Sequence, residues 1–282
     1  MTAPVTAGSP AAPPPRTAHS DRATIATKTL RTDRWWLAPL LTFAGLAAFV
    51  VYGLVRAFMN QWYWVDDVHL LAPFYSPCLS EACVPGSSHI LGQPIPRLPE
   101  WLSWVSPAMI VLILPGGFRL TCYYYRKSYY RSFWLSPPAC AVPDGHTTYS
   151  GETRFPLLFQ NAHRYFFYGA IFIGSVLTYD AFLSLKGQDG GVGAGVGSII
   201  LFANVVLIWA YTLGCHSCRN IVGGRLKHFS KHPVRYWLWS KVTILNVKHQ
   251  QLAWASMLSV VIADAYVMLV AAGAFDDVRI FN

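Results

Sequence analysis

The stretch VGSIILFANVVLIWAYTLGCHSC, residues 196–218, joins a long apolar run to two cysteines and a histidine. An apolar run of this length is typical of a helix that crosses a membrane. Cys215 and Cys218 lie three residues apart, so a helix that continued through them would place both thiols on one face. Polar and reactive groups at membrane depth are costly and are usually functional. The stretch therefore predicts an integral membrane protein with a thiol site at the edge of the membrane.

The composition of the whole chain agrees with a membrane protein. Of its 282 residues, 54% are hydrophobic and 12% are charged, whereas soluble domains carry about 25% charged residues. We expect an all-α integral membrane protein, a bundle of five transmembrane helices over residues 35–282, preceded by a disordered cytoplasmic tail over residues 1–34. The five apolar segments that predict the spans cover residues 35–58, 102–125, 161–185, 195–218 and 249–275.

Basic residues are distributed unevenly between the two sides of the membrane. The tail and the loops at 126–160 and 219–248 carry five, four and seven Lys or Arg, sixteen in all, whereas the opposite side, which includes the loop at 60–101, carries three. Loops rich in Lys and Arg stay in the cytoplasm. We therefore expect the N-terminus in the cytoplasm and the C-terminus outside. The formal net charge of +9 belongs to this pattern, so it does not indicate binding to nucleic acid.

The expected orientation separates the six cysteines into two groups. Cys78 and Cys83 fall in the outer loop, which in a bacterium faces an oxidising compartment. A short disulfide is therefore expected between them, and two unpaired thiols are the alternative. The other four cysteines lie near the basic, cytoplasmic loops.

Five cysteine and histidine side chains are predicted to lie at one depth near the cytoplasmic edge. Counting about 1.5 Å per residue from the end of each span puts them within about two helical turns of one level. They come from four different spans, as ligands of cofactors in helical bundles do. The five candidate metal ligands are Cys122, His163, Cys215, Cys218 and His249.

Two thiolates with two imidazoles fit either tetrahedral zinc or a Rieske-type [2Fe–2S] cluster, in which two His replace two Cys on one iron. Zinc carries no electrons, so a redox relay is the favoured interpretation at this depth. His163 and His249 are the favoured imidazoles, and Cys122 rivals one of the two paired cysteines. A haem b between two imidazoles is one alternative. The other is that the cysteines are small buried apolar side chains without any metal.

Aromatic and hydrogen-bonding residues at the same level suggest a quinone site. A quinone headgroup needs a flat apolar slot with donors to its two carbonyl oxygens. An ordinary aromatic belt, with arginines that reach lipid phosphates, is the alternative. The candidate quinone-binding residues are Arg119, Tyr123, Arg164, Tyr165, Trp239 and Ser240. Asp264, in the middle of the fifth span, either takes part in proton movement or pairs within the bundle.

Four blocks of the sequence resemble a known family: FYSPCLSEACVPGSSH at 74–89, FRLTCYYYRKSYYRSFWLSPPACAV at 118–142, GETRFPLLFQNAHRYFFY at 151–168 and CHSCRNIVGGRL at 215–226. They are similar to the membrane-anchor (cytochrome b-type) subunit of actinobacterial succinate dehydrogenase. The resemblance implies a bacterial plasma-membrane protein of the respiratory chain and the tricarboxylic acid cycle. It also implies a flavoprotein and an iron–sulfur subunit as partners on the cytoplasmic face, and electron transfer from succinate to quinone.

Members of the wider family hold two haems, one haem or none, and one branch carries a membrane-embedded Rieske-type cluster. This chain lacks the four helix-borne histidines that two haems need, so the resemblance favours the cluster branch, with a haem b or cofactor-free anchor as alternatives. A quinone-linked thiol oxidase would need two working cysteine pairs on the outer face, and only Cys78 and Cys83 lie there. We expect a subunit of a succinate:quinone oxidoreductase that carries neither the flavin nor a catalytic residue.

Overall fold

The computed structural model describes residues 31–79, 105–142, 144, 157–187, 190–224 and 226–281, and these residues are mostly helical. The helices are α1 (Leu37–Met59), α2 (Pro107–Val111), α3 (Ile113–Thr121), α4 (Tyr123–Phe133), α5 (His163–Leu183), α6 (Val196–Leu213), α7 (His216–Gly223), α8 (Pro233–Val247) and α9 (His249–Ala271). Two small antiparallel sheets pair β1 (Trp64–Val65) with β2 (Leu70–Leu71) and β3 (Ala194–Gly195) with β4 (Arg279–Phe281). Short 3-10 helices occur at Pro73–Tyr75, Leu157–Ala162 and Phe229–Lys231.

Helices α1, α5, α6 and α9 are each long and apolar enough to cross a membrane. A further crossing is available if Pro107–Thr121 and Tyr123–Phe133, which meet at an angle of 76°, count as one broken span. A mostly helical protein with four or five spans is therefore confirmed. The side of the membrane on which each terminus lies stays a prediction.

The second apolar segment is broken twice. Pro115 has no amide hydrogen, so the helical bond to the carbonyl of Val111 is missing, and α2 ends at that residue. The second break is at Cys122, whose backbone is extended (φ −67°, ψ 133°). Helix α4 then continues to Phe133, where the sequence predicted a loop from residue 126. Neither Pro nor Gly stands at this break. We attribute the break to the packing of α4 against α1 and α9.

The bundle is held together by α6, which packs against both α9 and α5, and by α5, which also packs against α3. Two clusters of buried side chains fill the space between these helices. One lies beside the strands β1 and β2 and includes Leu70 and Leu71. The other surrounds Cys122, Cys215 and Cys218 and also contains buried tyrosines. The three cysteines predicted for the cytoplasmic edge are thus part of one core.

A fully buried ion pair joins the first and last long helices. Arg56 Nε of α1 lies 2.6 Å from Asp264 Oδ2 of α9, and both side chains are 0% exposed. The hydroxyl of Tyr52 donates to the same carboxylate oxygen at 2.7 Å, and the amide of Phe74 donates to the other oxygen at 3.4 Å. Asp264 therefore pairs within the bundle, which is one of the two roles that the sequence allowed.

Parts of several predictions fall on residues outside the described ranges. They include residues 1–30 of the predicted tail, Cys83, and much of the loops at 60–101 and 126–160. Cys78 is disulfide-bonded, as expected for the outer loop. Among the other described cysteines, Cys122, Cys140, Cys215 and Cys218 carry free thiols.

Candidate metal centre

Four of the five predicted ligands lie where one helix ends and the next begins. Cys122 separates α3 from α4, and Cys215 precedes α7 with a similarly extended backbone (φ −69°, ψ 147°). His163 is the first residue of α5 after a 3-10 turn, and His249 is the first residue of α9 after α8. An interrupted helix lets a side chain leave the regular helical direction, so each junction can turn its thiol or imidazole towards the bundle axis.

The four side chains form two cysteine–histidine contacts. His163 Nε2 lies 3.1 Å from Cys215 Sγ, and His249 Nε2 lies 3.7 Å from Cys122 Sγ. Cys122 and Cys215 belong to the same cluster of buried side chains. Three of the four are almost inaccessible, with exposed fractions of 2% for Cys122 and 1% for Cys215 and His249. The predicted convergence of these residues from four chain segments is therefore present in the structure.

Each of the two imidazoles is covered by an aromatic ring. Phe118 stacks on His163 with a centroid distance of 4.9 Å and an interplanar angle of 4°. Tyr211 stacks on His249 at 4.9 Å and 8°. The two covering rings also contact each other at 5.3 Å. This packing fixes the planes of the two imidazole rings.

The four converging side chains supply two thiols and two imidazoles. Across the described residues, no three His, Cys, Asp or Glu side chains converge closely enough to hold one metal ion. Single-ion sites such as structural zinc need four donors around one point. A Rieske-type cluster needs two Cys on one iron and two His on the other, so its ligands surround a larger volume. The donor types present here, two Cys and two His, are those that such a cluster takes.

Cys218 and His216 lie beside these four residues but make neither of the two contacts. Cys218 is buried in the first turn of α7, and burial raises the pKa of its thiol. Cys215 is the N-cap of α7 and accepts a hydrogen bond from the amide of Ser217 at 3.3 Å. The two thiols therefore do not share one continuous helix. Burial, with a contribution from Arg219, lowers the pKa of His216.

Of the six predicted quinone-binding residues, Arg119 alone takes part in a network of hydrogen bonds inside the bundle. Its guanidinium donates to Ser256 Oγ at 3.2 Å and to the hydroxyl of Tyr125. It also lies over the ring of Tyr211 at 5.0 Å.

The other five point away from this network. Tyr123 and Tyr165 are exposed, Tyr165 by 76%. Arg164 binds Asn220 at 2.8 Å, Trp239 lies under Arg219 at 4.7 Å, and Ser240 donates to the carbonyl of Tyr236 at 2.9 Å.

An apolar cavity of about 620 Å³ lies between α1, α3, α5, α6 and α9. Its wall is formed almost entirely by aliphatic and aromatic side chains. Its polar lining residues are Arg119, Tyr125, Tyr129, Tyr211 and Thr212, and Arg119 contacts both Tyr125 and Tyr211. Of the six predicted quinone-binding residues, only Arg119 lines it. The cavity has the size of a small-molecule site and the mostly apolar wall with few polar groups that such sites show.

Tyr211 connects the cavity with the candidate ligands. Its ring lines the cavity on one side and stacks on His249 on the other. Its hydroxyl is buried beside Cys122, outside the geometry of a regular hydrogen bond. Sequence analysis did not single out Tyr211, Thr121 or Ser256. Tyr211 could have been found from the sequence, because it precedes Cys215 by four residues. It is a polar side chain in an apolar run, one helical turn before a candidate ligand.

Comparisons with known proteins give two matches. A family model described as actinobacterial succinate dehydrogenase subunit SdhC matches residues 37–273. A solved structure of the Mycobacterium smegmatis Sdh1 complex in the apo form contains a chain that is 56% identical, with a TM-score of 0.83; the match covers 93% of this chain and 98% of that one. No curated protein gives a significant match.

Proposed function

Because the chain belongs to the family of actinobacterial succinate dehydrogenase subunits SdhC, we propose that it passes electrons to membrane quinone through a Rieske-type [2Fe–2S] centre. It is a multi-pass membrane subunit of a succinate dehydrogenase complex, as the resemblance implied. The proposed ligands are Cys122 and Cys215 on one iron and His163 and His249 on the other. Such a cluster, when bound, carries one electron at a time between the soluble subunits and quinone.

The observation that carries this proposal is the pair of cysteine–histidine contacts. Four helix junctions, far apart in sequence, bring two thiols and two imidazoles into one buried cluster. The contacts of 3.1 Å and 3.7 Å bring sulfur and nitrogen donors from four chain segments to one place. Buried imidazoles are costly without partners, and metal ligation satisfies both groups at once. We therefore place Cys218, which makes neither contact, outside the ligand set.

The cavity supports a quinone site next to this centre. A quinone headgroup beside Arg119 would find its guanidinium as a charged donor and the ring of Tyr211 as an apolar surface. Charged donors make stronger hydrogen bonds to carbonyl oxygens than neutral ones do. Because Tyr211 also stacks on His249, a bound headgroup would be separated from a proposed ligand by little more than one aromatic ring.

The distribution of charge supports the proposed orientation and partners. With sixteen Lys and Arg on one side and three on the other, the junctions at Cys122, His163, Cys215 and His249 face the cytoplasm. The flavoprotein and iron–sulfur subunits of the complex would dock on that face. The centre is then at the side from which electrons arrive, and the cavity extends from it into the membrane.

Variants of the complex separate ligands from neighbours. We expect His163→Ala, His249→Ala, Cys122→Ser and Cys215→Ser each to remove the low-g EPR signal of a reduced Rieske-type cluster and succinate-to-quinone activity. Cys218→Ser and His216→Ala, which change a thiol and an imidazole in the same region, are the matched controls and retain both. Loss of the signal in Cys218→Ser with retention in Cys122→Ser would overturn the ligand set. A haem α-band without the low-g signal in the unaltered complex would overturn the cluster.

A further inference from the structure

Thr121 is the last residue of α3 and lies directly before the break at Cys122. Its Oγ1 is 2.7 Å from the carbonyl oxygen of Gly117, one turn earlier, and 2.7 Å from Nδ1 of His163. The other ring nitrogen of that histidine, Nε2, faces Cys215 Sγ at 3.1 Å. One hydroxyl thus connects the end of α3 with a proposed ligand on α5.

The single hydrogen of the Thr121 hydroxyl determines which ring nitrogen of His163 carries a hydrogen. A threonine hydroxyl has one hydrogen to donate and can accept through its lone pairs. A carbonyl cannot donate, so the contact with Gly117 uses the hydroxyl hydrogen. The contact with His163 is assigned in the other direction on this basis, with Nδ1–H donating to Oγ1. In a neutral imidazole with hydrogen on Nδ1, Nε2 carries the free lone pair. That lone pair is directed at the candidate centre.

We propose that Thr121 is a positioning residue for the metal centre, because its hydroxyl holds His163 in the Nδ1–H tautomer with Nε2 facing the cluster. This inference rests on the proposed function. Stacking on Phe118 fixes the plane of the imidazole, but a stacked ring can still turn within its plane. The bond from Nδ1 to Thr121 stops that rotation. Partners of this kind orient histidine ligands and raise their basicity.

The second histidine has no such partner among the described residues. Nδ1 of His249 is buried without a hydrogen bond, and the ring is held by stacking on Tyr211, by the edge-on ring of Tyr124 and by the contact of Nε2 with Cys122. The two imidazoles therefore differ at Nδ1, which has a hydroxyl partner in His163 and no hydrogen bond in His249. Loss of the Thr121 hydroxyl should change only the environment of His163.

The chain offers a close structural match to Thr121 as a control. Thr178 of α5 also donates to a glycine carbonyl one turn earlier, Gly174 O, at 2.7 Å, and it also accepts from a ring nitrogen, Trp209 Nε1, at 2.9 Å. It lies on α5 about 22 Å along the helix from His163, at 1.5 Å per residue. Thr178→Val thus measures what the loss of an equivalent hydroxyl does to the fold.

The test compares Thr121→Val, Thr121→Ser and Thr178→Val in the purified complex by EPR, nitrogen hyperfine spectroscopy and a redox titration. We expect Thr121→Val to change the nitrogen couplings and raise the midpoint potential of the cluster, because the imidazole becomes less basic, or to lose the cluster. Thr121→Ser keeps the hydroxyl and should match the unaltered complex, as should Thr178→Val. Thr121→Ala repeats the test if the valine variant does not assemble.

Two different failures can be told apart. If the unaltered complex shows no low-g signal, the proposed function is wrong. If it shows the signal and Thr121→Val leaves the couplings and potential unchanged, the role of Thr121 is wrong while the centre stands. Equal changes in Thr121→Val and Thr121→Ser, or in Thr121→Val and Thr178→Val, would also overturn the role of the hydroxyl.

Discussion

Asp264→Asn should destabilise the membrane domain strongly, because it removes a negative charge from a fully buried ion pair. The carboxylate accepts from Arg56 Nε at 2.6 Å and from the hydroxyl of Tyr52 at 2.7 Å, and both charged side chains are 0% exposed. Asparagine has nearly the same shape, so packing is preserved and the charge alone changes. Removing one partner of a buried ion pair costs about 3–5 kcal/mol, since the other charge stays buried and uncompensated.

The expected cost can be measured as a melting temperature of the purified complex in detergent. For a chain near this size, about 2 °C is lost for each kcal/mol, so the midpoint of the membrane subunit should fall by roughly 6–10 °C. Exposed Asp67→Asn is the control and should leave the midpoint unchanged, since an exposed carboxylate contributes little.

The double variant Arg56→Met with Asp264→Leu tests whether the broken ion pair explains the loss of stability in Asp264→Asn. Replacing both charges by apolar side chains removes the uncompensated guanidinium, so the double variant should be more stable than Asp264→Asn. A shift below about 2 °C for Asp264→Asn would refute the reasoning. A double variant less stable than the single one would show that the carboxylate acts in some way other than pairing with Arg56.

Further predictions concern the cavity and the ligands. Arg119→Gln should lower quinone reductase kcat/KM by roughly 10- to 150-fold, the worth of a charged hydrogen bond, and should leave the low-g EPR signal intact. Arg235→Gln, which loses only bonds to main-chain carbonyls such as Val222 O, is the control. An equal loss of activity in both variants would count against the cavity as the quinone site. Tyr211→Phe should keep the cluster but lower its midpoint potential, because the hydroxyl beside Cys122 then no longer stabilises the added electron. An unchanged potential would show that the hydroxyl of Tyr211 does not affect the centre. Gly214→Ala should distort the EPR signal, since an added Cβ would lie 3.1 Å from His249 Nδ1 and 2.9 Å from Ala210 O. Gly116→Ala is the control and should leave the signal unchanged, since an added Cβ there has no atom within 4 Å.

The apolar runs predicted the long helices well because hydropathy alone decides whether a segment can cross a membrane. Helices α1, α5, α6 and α9 all begin and end within five residues of their predicted bounds. Counting residues from those ends also placed Cys122, His163, Cys215 and His249 at one depth, and the structure brings them together.

The breaks at Cys122 and Cys215 were harder to predict. Gly214 marks the second break, but no breaker marks the first, which depends on the packing of α4 against α1 and α9. A continuous helix would have placed Cys215 and Cys218 together, whereas the break directs Cys215 towards His163.

The cavity network could not be derived from sequence either. Depth along a span can be counted, but the rotation of each helix about its own axis is set by its neighbours. Arg119 was recognised because charge inside a span is costly. Its partners Tyr125 and Ser256 lie on α4 and α9, and nothing in the sequence specifies which faces of these helices meet.

The EPR spectrum of the purified complex after reduction with dithionite, recorded with its visible spectrum, tests the central claim most directly. A Rieske-type centre held by two cysteines and two histidines predicts a low-g signal in addition to those of the iron–sulfur subunit, with nitrogen couplings from two imidazoles. A sharp haem α-band without that signal, or a complex with no metal centre in its membrane part, would contradict the account.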